Sequence, residues 1–116
     1  MNKENFLTSA KQIKVGSYVV ESFANSLAFY KVMATTDKSV TLLRVQDEMT
    51  HFENAGGPTG YRYCKPTDKP YCEYDKPFRK ICRTNKDGSI SIPGIISRWN
   101  CVQLYNPNHE YSEYYE

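Results

Sequence analysis

The chain predicts a mainly β fold, a small SH3-like antiparallel barrel with a short N-terminal helical turn. The segment Ser17–Val45, SYVVESFANSLAFYKVMATTDKSVTLLRV, holds three runs of β-branched and aromatic residues separated by turn-formers. Counting these three, about five to seven short strands fit in about 90 residues at the turn spacing of a barrel or sandwich. A barrel closes its own edges and leaves long loops to carry specificity, which suits the polar stretches between the apolar runs. At 116 residues the chain has room for one domain, 1–116, with a modest core, a lead over 1–16 and an acidic aromatic tail over 106–116.

In the lead, Thr8 or Ser9 can cap a short helical turn that Gly16 ends. Tyr18, Val19 and Val20 open a first strand, Phe29, Tyr30 and Val32 a second, and Val40, Leu42, Leu43 and Val45 a third. Ala24-Asn25-Ser26 and Thr36-Asp37-Lys38 connect them as a meander requires. Gln46 to Gly60 reads as a long loop closed by Gly56-Gly57-Pro58, and Tyr61 to Cys64 as a short strand. The following KPTDKPYCEYDKP, with Pro66, Pro70 and Pro77, is an extended connection that cannot be an interior strand. Phe78 to Thr84 alternates as a strand, Asn85 to Gly88 turns it, and Ser89 to Ile92 completes a hairpin before Pro93-Gly94. Ile95 to Leu104 suits a strand or a short helix, and Asn106-Pro107-Asn108 releases the tail.

Composition narrows the function classes. Hydrophobic residues make up 40% and charged residues 24% of the chain, which is the balance of a globular protein. Ten Tyr, five Phe and one Trp are more rings than so small a core holds, so tyrosine is expected on the surface, where it makes contacts. A net charge of +2 is too small for a polycation that wraps nucleic acid by phosphate neutralisation alone. No stretch approaches the roughly 18 consecutive apolar residues of a membrane span, and MNKENFLTSAKQIK lacks a signal-peptide core. A cytoplasmic protein is expected.

Charge is unevenly placed. Tyr61 to Arg83 holds seven basic residues against three acidic ones, a local +4, so the remainder sums to −2. Tyr61, Tyr63, Tyr71, Tyr74 and Phe78 interleave with those cations. The tail is the reverse, with Glu110, Glu113 and Glu116 set between Tyr111, Tyr114 and Tyr115.

The order VGSYVVESF, a polar turn, FYKV and KSVTLLRV is similar to a group of small β-barrel proteins encoded by bacteriophages and plasmids. In those relatives a first strand ends in Ser-Trp-Gly-Tyr, a Gln-Thr-Asn turn follows, and the second strand carries Asp-Phe-Tyr-Gln-Val. This chain keeps Ser22, Phe29, Tyr30 and Val32, then Lys38-Ser39-Val40. It departs at Phe23-Ala24-Asn25 and at Ser26-Leu27-Ala28. The resemblance covers about a quarter of the chain closely and implies a phage-like accessory protein in a bacterial host cytoplasm. Such proteins often bind and block a host machine.

No residue constellation announces chemistry. Cys64, Cys72, Cys82 and Cys101 are separated by 7, 9 and 18 residues, without the close pairs of a zinc knuckle. They read as reduced, buried small hydrophobes; a zinc site with His109, or disulfides, are the alternatives. His51 beside Glu48 and Glu53 lacks a second histidine and reads as a solvated loop residue. The run Gly56-Gly57-Pro58-Thr59-Gly60 lacks the Lys-Ser/Thr of a phosphate loop. Trp99, Tyr18 and Phe29 read as core. Neither paired carboxylates nor a nucleophile with its base is visible, so an enzyme, a cofactor and a metal are not expected.

Two binding functions follow. In the first, the protein blocks a host defence or nucleic-acid-processing machine by protein contact, in the manner of an anti-CRISPR, through loop 46–60, the basic aromatic segment or the tail. Its partner is then a host protein or ribonucleoprotein. In the second, the barrel binds single-stranded nucleic acid, stacking bases on Tyr61, Tyr63, Tyr71 and Tyr74 while Arg62, Lys65, Arg79 and Lys80 hold phosphates. The candidate contact residues are these eight together with Glu110, Tyr111, Glu113 and Tyr114 of the tail. The sequence assigns no oligomeric state.

Overall fold

A computed structural model describes residues 12–97 and 99–115. Nine antiparallel strands follow in chain order: β1 (Tyr18–Phe23), β2 (Ser26–Thr35), β3 (Ser39–Gly56), β4 (Thr59–Pro70), β5 (Phe78–Ile81), β6 (Arg83–Thr84), β7 (Ile90–Pro93), β8 (Cys101–Leu104) and β9 (Tyr111–Tyr115).

The near-continuous apolar runs of β1, β2 and β3 arise because this part of the sheet is buried on both faces, so alternation of polar and apolar residues is not needed there. Val19 and Val20 are neighbours on β1 and point into different cores. One core gathers Val19, Ala28, Tyr30, Val32, Val40, Leu42, Ile92 and Val102, with Ile13 from the lead. The other gathers Val20, Leu27, Phe29, Val45 and Cys64, with Tyr18, Tyr105 and Tyr111 packed against it. Each fully buried aliphatic or Phe side chain contributes about 1.5–3 kcal/mol, so the two clusters are the main source of stability.

The hydrogen-bonded path runs β6-β7-β8-β1-β2-β3-β4-β9, with β5 paired to β3, and this path is open. Among the described residues, barrel closure is therefore not present in the pairing. The physical reason is the length of β3: its first half pairs with β2 and β5, while its second half leaves them to pair with β4. Of the N-terminal helical turn, Thr8 and Ser9 lie outside the described residues. At its end, Gly16 takes φ 89 and its amide donates to the Val32 carbonyl at 2.8 Å.

Three further expectations are corrected. Residues 46–60 are not a loop but the distal half of β3 and the start of β4, joined by a tight turn in which Gly56 and Gly57 take positive φ (116° and 60°). Their polar sequence reflects exposure on the hairpin rather than irregular backbone. The connection after Cys64 is strand as far as Pro70, and prolines are tolerated because β9 pairs with β4 only over Gly60–Cys64, which leaves an edge at Pro66. At the bulge between Val45 and Asp47, the Thr67 hydroxyl donates to the Gln46 carbonyl at 2.9 Å and the Gln46 side-chain Nε2 donates to the Pro70 carbonyl at 3.1 Å. The tail is not released but returns as β9, where the Tyr114 amide donates to the Asn25 carbonyl at 3.0 Å.

Candidate interaction face

β3, β4 and β9 form a three-stranded layer whose two faces differ because side chains alternate along each strand. Residues 60, 62 and 64 of β4 share the inward face with Glu113 of β9. Residues 61, 63 and 65 share the outward face with Ser112 and Tyr114.

The inward face carries a paired charge cluster. The Arg62 guanidinium stands 3.0 Å from Asp47 and 3.7 Å from Glu113. The Leu27 amide donates to Glu113 at 3.1 Å. Ligand atoms of Asp47, Cys64 and Glu113 lie within 4.8 Å of one another. Arg62 already supplies a cation to both carboxylates. Burial, and then those two carboxylates, push the Cys64 thiol up to about 12, so it is a neutral thiol near pH 7. The cysteines do not gather: all four are free, Cys64 buried, Cys82 half-buried, Cys72 and Cys101 exposed. Among the described residues no group of three or more cysteines and histidines has metal-binding spacing.

The outward face is aromatic and acidic. The His51 ring stacks on Tyr63 with centroids 4.3 Å apart and planes within 10°. The Tyr63 hydroxyl donates to Glu53 at 3.1 Å, a hydrogen bond that raises the phenol pKa. Tyr61 meets Tyr114 edge-on at 5.4 Å. Glu48 faces Lys65 across the β3–β4 ladder. Beyond this platform, a cleft of about 270 Å³ separates the hairpin from the segment that enters β9, and Tyr105, His109, Glu110 and Tyr111 line its far side.

The basic aromatic segment is therefore dispersed over the molecule. Tyr61, Tyr63 and Lys65 reach the outward face with Tyr114, whereas Arg62 turns inward to meet Glu113. The Tyr71 ring lies under the Arg44 guanidinium at 3.9 Å, and Tyr74 is 80% exposed on the connection to β5. On β5, Arg79 donates to the Ser39 hydroxyl at 3.0 Å and Lys80 to the Gly94 carbonyl at 3.2 Å. Glu110 and Tyr111 flank the cleft.

Tyr105 is a contributor that the sequence did not single out, and His51 and His109, weighed there only as a solvated loop residue and a zinc ligand, join it at the cleft. The signal for Tyr105 and His109 was the run of turn-formers before β9. Trp99, expected in the core, is 84% exposed. The position it was expected to fill belongs to Tyr30, Phe29 and Ile13.

A second polar feature lies in the first core. Glu21 is fully buried on β1 and accepts the amides of Ile95 (3.1 Å), Ile96 (3.1 Å) and Ser97 (3.5 Å), and the Tyr30 hydroxyl at 3.5 Å. This cradle replaces the expected strand or helix over Ile95–Asn100, leaving only Cys101–Leu104 as strand. A Cβ at Gly94 would run into the Ser97 and Asn100 carbonyls and the Glu21 carboxylate, so glycine is required by close approach.

Among the described residues no helix is long and apolar enough to cross a membrane. Comparisons with known protein families, with curated proteins and with solved structures return no match.

Proposed function

We propose that the protein works by protein–protein contact through the outward face of β3, β4 and β9, and that it blocks a host defence or nucleic-acid-processing machine by covering a cationic surface. The observation that carries this reading is the placement of Tyr61, Tyr63, Tyr114 and the His51 ring on one strand layer, interleaved with Glu48 and Glu53 and bordered by Glu110. Tyrosines on strands bring large contact area at low entropic cost, and tyrosine is enriched at the centres of interfaces. Lys65 is the single cation in that set, so the face complements arginine- and lysine-rich surfaces such as those that hold nucleic acid.

Direct binding of single-stranded nucleic acid is the weaker reading. It needs the cations and rings of 61–83 on one track. Arg62 is neutralised inward, and Arg79 and Lys80 are engaged on β5. The phage-like, cytoplasmic accessory role and the SH3-like barrel belong to the same proposal. Cys82 alone separates β5, on β3, from β6, on β7, and its amide donates to the Lys38 carbonyl at 2.8 Å. That continuity supports a rolled sheet.

Affinity capture from a bacterial lysate tests the proposal, using the wild type, Tyr61→Ala/Tyr63→Ala and Glu53→Lys. The wild type is expected to retain a nucleic-acid-binding protein that a DNA or RNA oligonucleotide displaces, and both variants to lose it. Equal capture by all three, or steeply salt-dependent binding of the isolated protein to single-stranded oligonucleotides, refutes the reading.

A further inference from the structure

We infer that the cleft beside the outward face is an aromatic cage for one organic cation, the alkylammonium or guanidinium head of a lysine or arginine side chain. The inference rests on the cationic-surface reading and adds to it a specific receptor.

Ring-bearing residues from two segments line the same space of about 270 Å³, small for a metabolite but sufficient for a side-chain head. The hairpin wall is the parallel His51–Tyr63 stack. The opposite wall is Tyr105 and Tyr111, with centroids 5.2 Å apart, and His109, 4.8 Å from Tyr111 and edge-on to it. Ring faces attract cations through their quadrupole, most strongly when water is partly excluded. Glu110 adds a carboxylate at the same cleft. Rings together with one carboxylate select an organic cation over a metal ion, which needs several oxygen or nitrogen ligands in a fixed shell.

The far wall is held in place before any ligand arrives. The Asn106 amide donates to the Tyr111 hydroxyl at 3.0 Å, the His109 amide to the Asn106 carbonyl at 3.0 Å, and the Asn108 amide to the Asn106 side chain at 2.9 Å. Phe29 backs both tyrosines edge-on, at 5.9 Å from Tyr105 and 6.2 Å from Tyr111. The cage is therefore preorganised, and binding does not have to order it. Lys65 stands among the lining residues and makes no ion pair or cation–π contact among the described residues. Its charge opposes an incoming cation.

The test uses the isolated full chain, so its outcome is independent of any captured partner. The side-chain resonances of His51, Tyr63 and His109 are followed by NMR during titration with N-acetyl-arginine amide, N-acetyl-lysine amide and the neutral N-acetyl-norleucine amide. Saturable shifts are expected with one or both cations, with Kd on the order of millimolar, and none with the neutral compound. Comparison of the two cations identifies the head group. Tyr63→Leu and Glu110→Gln, both outside the cores, are each expected to weaken binding about fivefold, and Lys65→Ala to strengthen it about twofold. Absence of saturation, equal response to the neutral compound, or unchanged affinity in both Tyr63→Leu and Glu110→Gln overturns the inference. If the cage binds cations and lysate capture fails, the receptor stands and the blocking role falls.

Discussion

Glu113 accepts the backbone amide of Leu27 at 3.1 Å across 86 residues of sequence, and this bond ties the last strand to the start of the second. Its other oxygen faces Arg62 at 3.7 Å. Replacing Glu113 with alanine removes the acceptor and leaves Arg62 with Asp47 alone, at an expected cost of about 1–3 kcal/mol. Hydrogen exchange provides the check: the Leu27 and Tyr114 amides should exchange faster, while those of Val32 and Leu42 remain protected. Uniform loss of protection would show that β9 is not a separate unit.

Glu21→Ala should be among the most damaging single changes. It leaves the amides of Ile95, Ile96 and Ser97 without their acceptor, for an expected loss of about 2–4 kcal/mol in a urea titration. A loss below about 1 kcal/mol would mean that water enters and satisfies these amides.

Alkaline pH should destabilise the fold before it modifies the chain. Burial, then Glu21, raises the Tyr30 phenol to about 12. The Cys64 thiol is also raised to about 12. In the unfolded chain these groups ionise near 10 and 9, so between about pH 9 and 12 the unfolded state binds fewer protons than the folded one. Stability is therefore complete below about pH 9 and falls as pH rises through 12. Unfolding midpoints measured from pH 7 to 11 should decline, and a flat profile would contradict the burial of both groups. At pH 8, alkylation should reach Cys72 and Cys101 well before Cys64.

Ala24 occupies the β1–β2 turn with φ 49, a conformation that costs a non-glycine residue about 1 kcal/mol. Ala24→Gly relieves that strain, and the expected net gain, after the added flexibility of the unfolded chain, is a few tenths of a kcal/mol. Thermal unfolding would register it as a small upward shift in Tm. A downward shift would indicate that the alanine methyl makes a contact worth more than the strain.

The β class and the first three strands were legible because Val, Ile, Tyr and Phe cluster between short turn sequences. The extent of β3 was not. Asp47, Glu48, Thr50, His51, Glu53 and Asn54 carry no apolar alternation, since this part of the strand sits on a hairpin exposed on most of its surface. Trp99 misled because size favours burial, yet the Glu21 cradle shapes the preceding turn and the ring emerges into solvent. The basic aromatic segment looked like one surface along the chain. Strand alternation sent Arg62 inward and Tyr61 and Tyr63 outward, a division readable only once β4 is known to be a strand. The tail's role was hidden for the same reason, because Glu113 finds its partners at Leu27 and Arg62, far away in sequence.

A sheet that is oily on both sides has a weakness. Sliding one strand past its neighbour by a single position would exchange one greasy surface for another, and apolar patterning alone would barely penalise the mistake. Among the described residues Glu21 is the charged exception in that buried set, since a displaced β1 would strand a carboxylate away from its three amides. It acts as an alignment peg for the assembling hairpin. Glu21→Leu, although similar in volume, is thus expected to yield doubled amide resonances from coexisting alignments, whereas one sharp set of peaks would confine the residue to holding its turn.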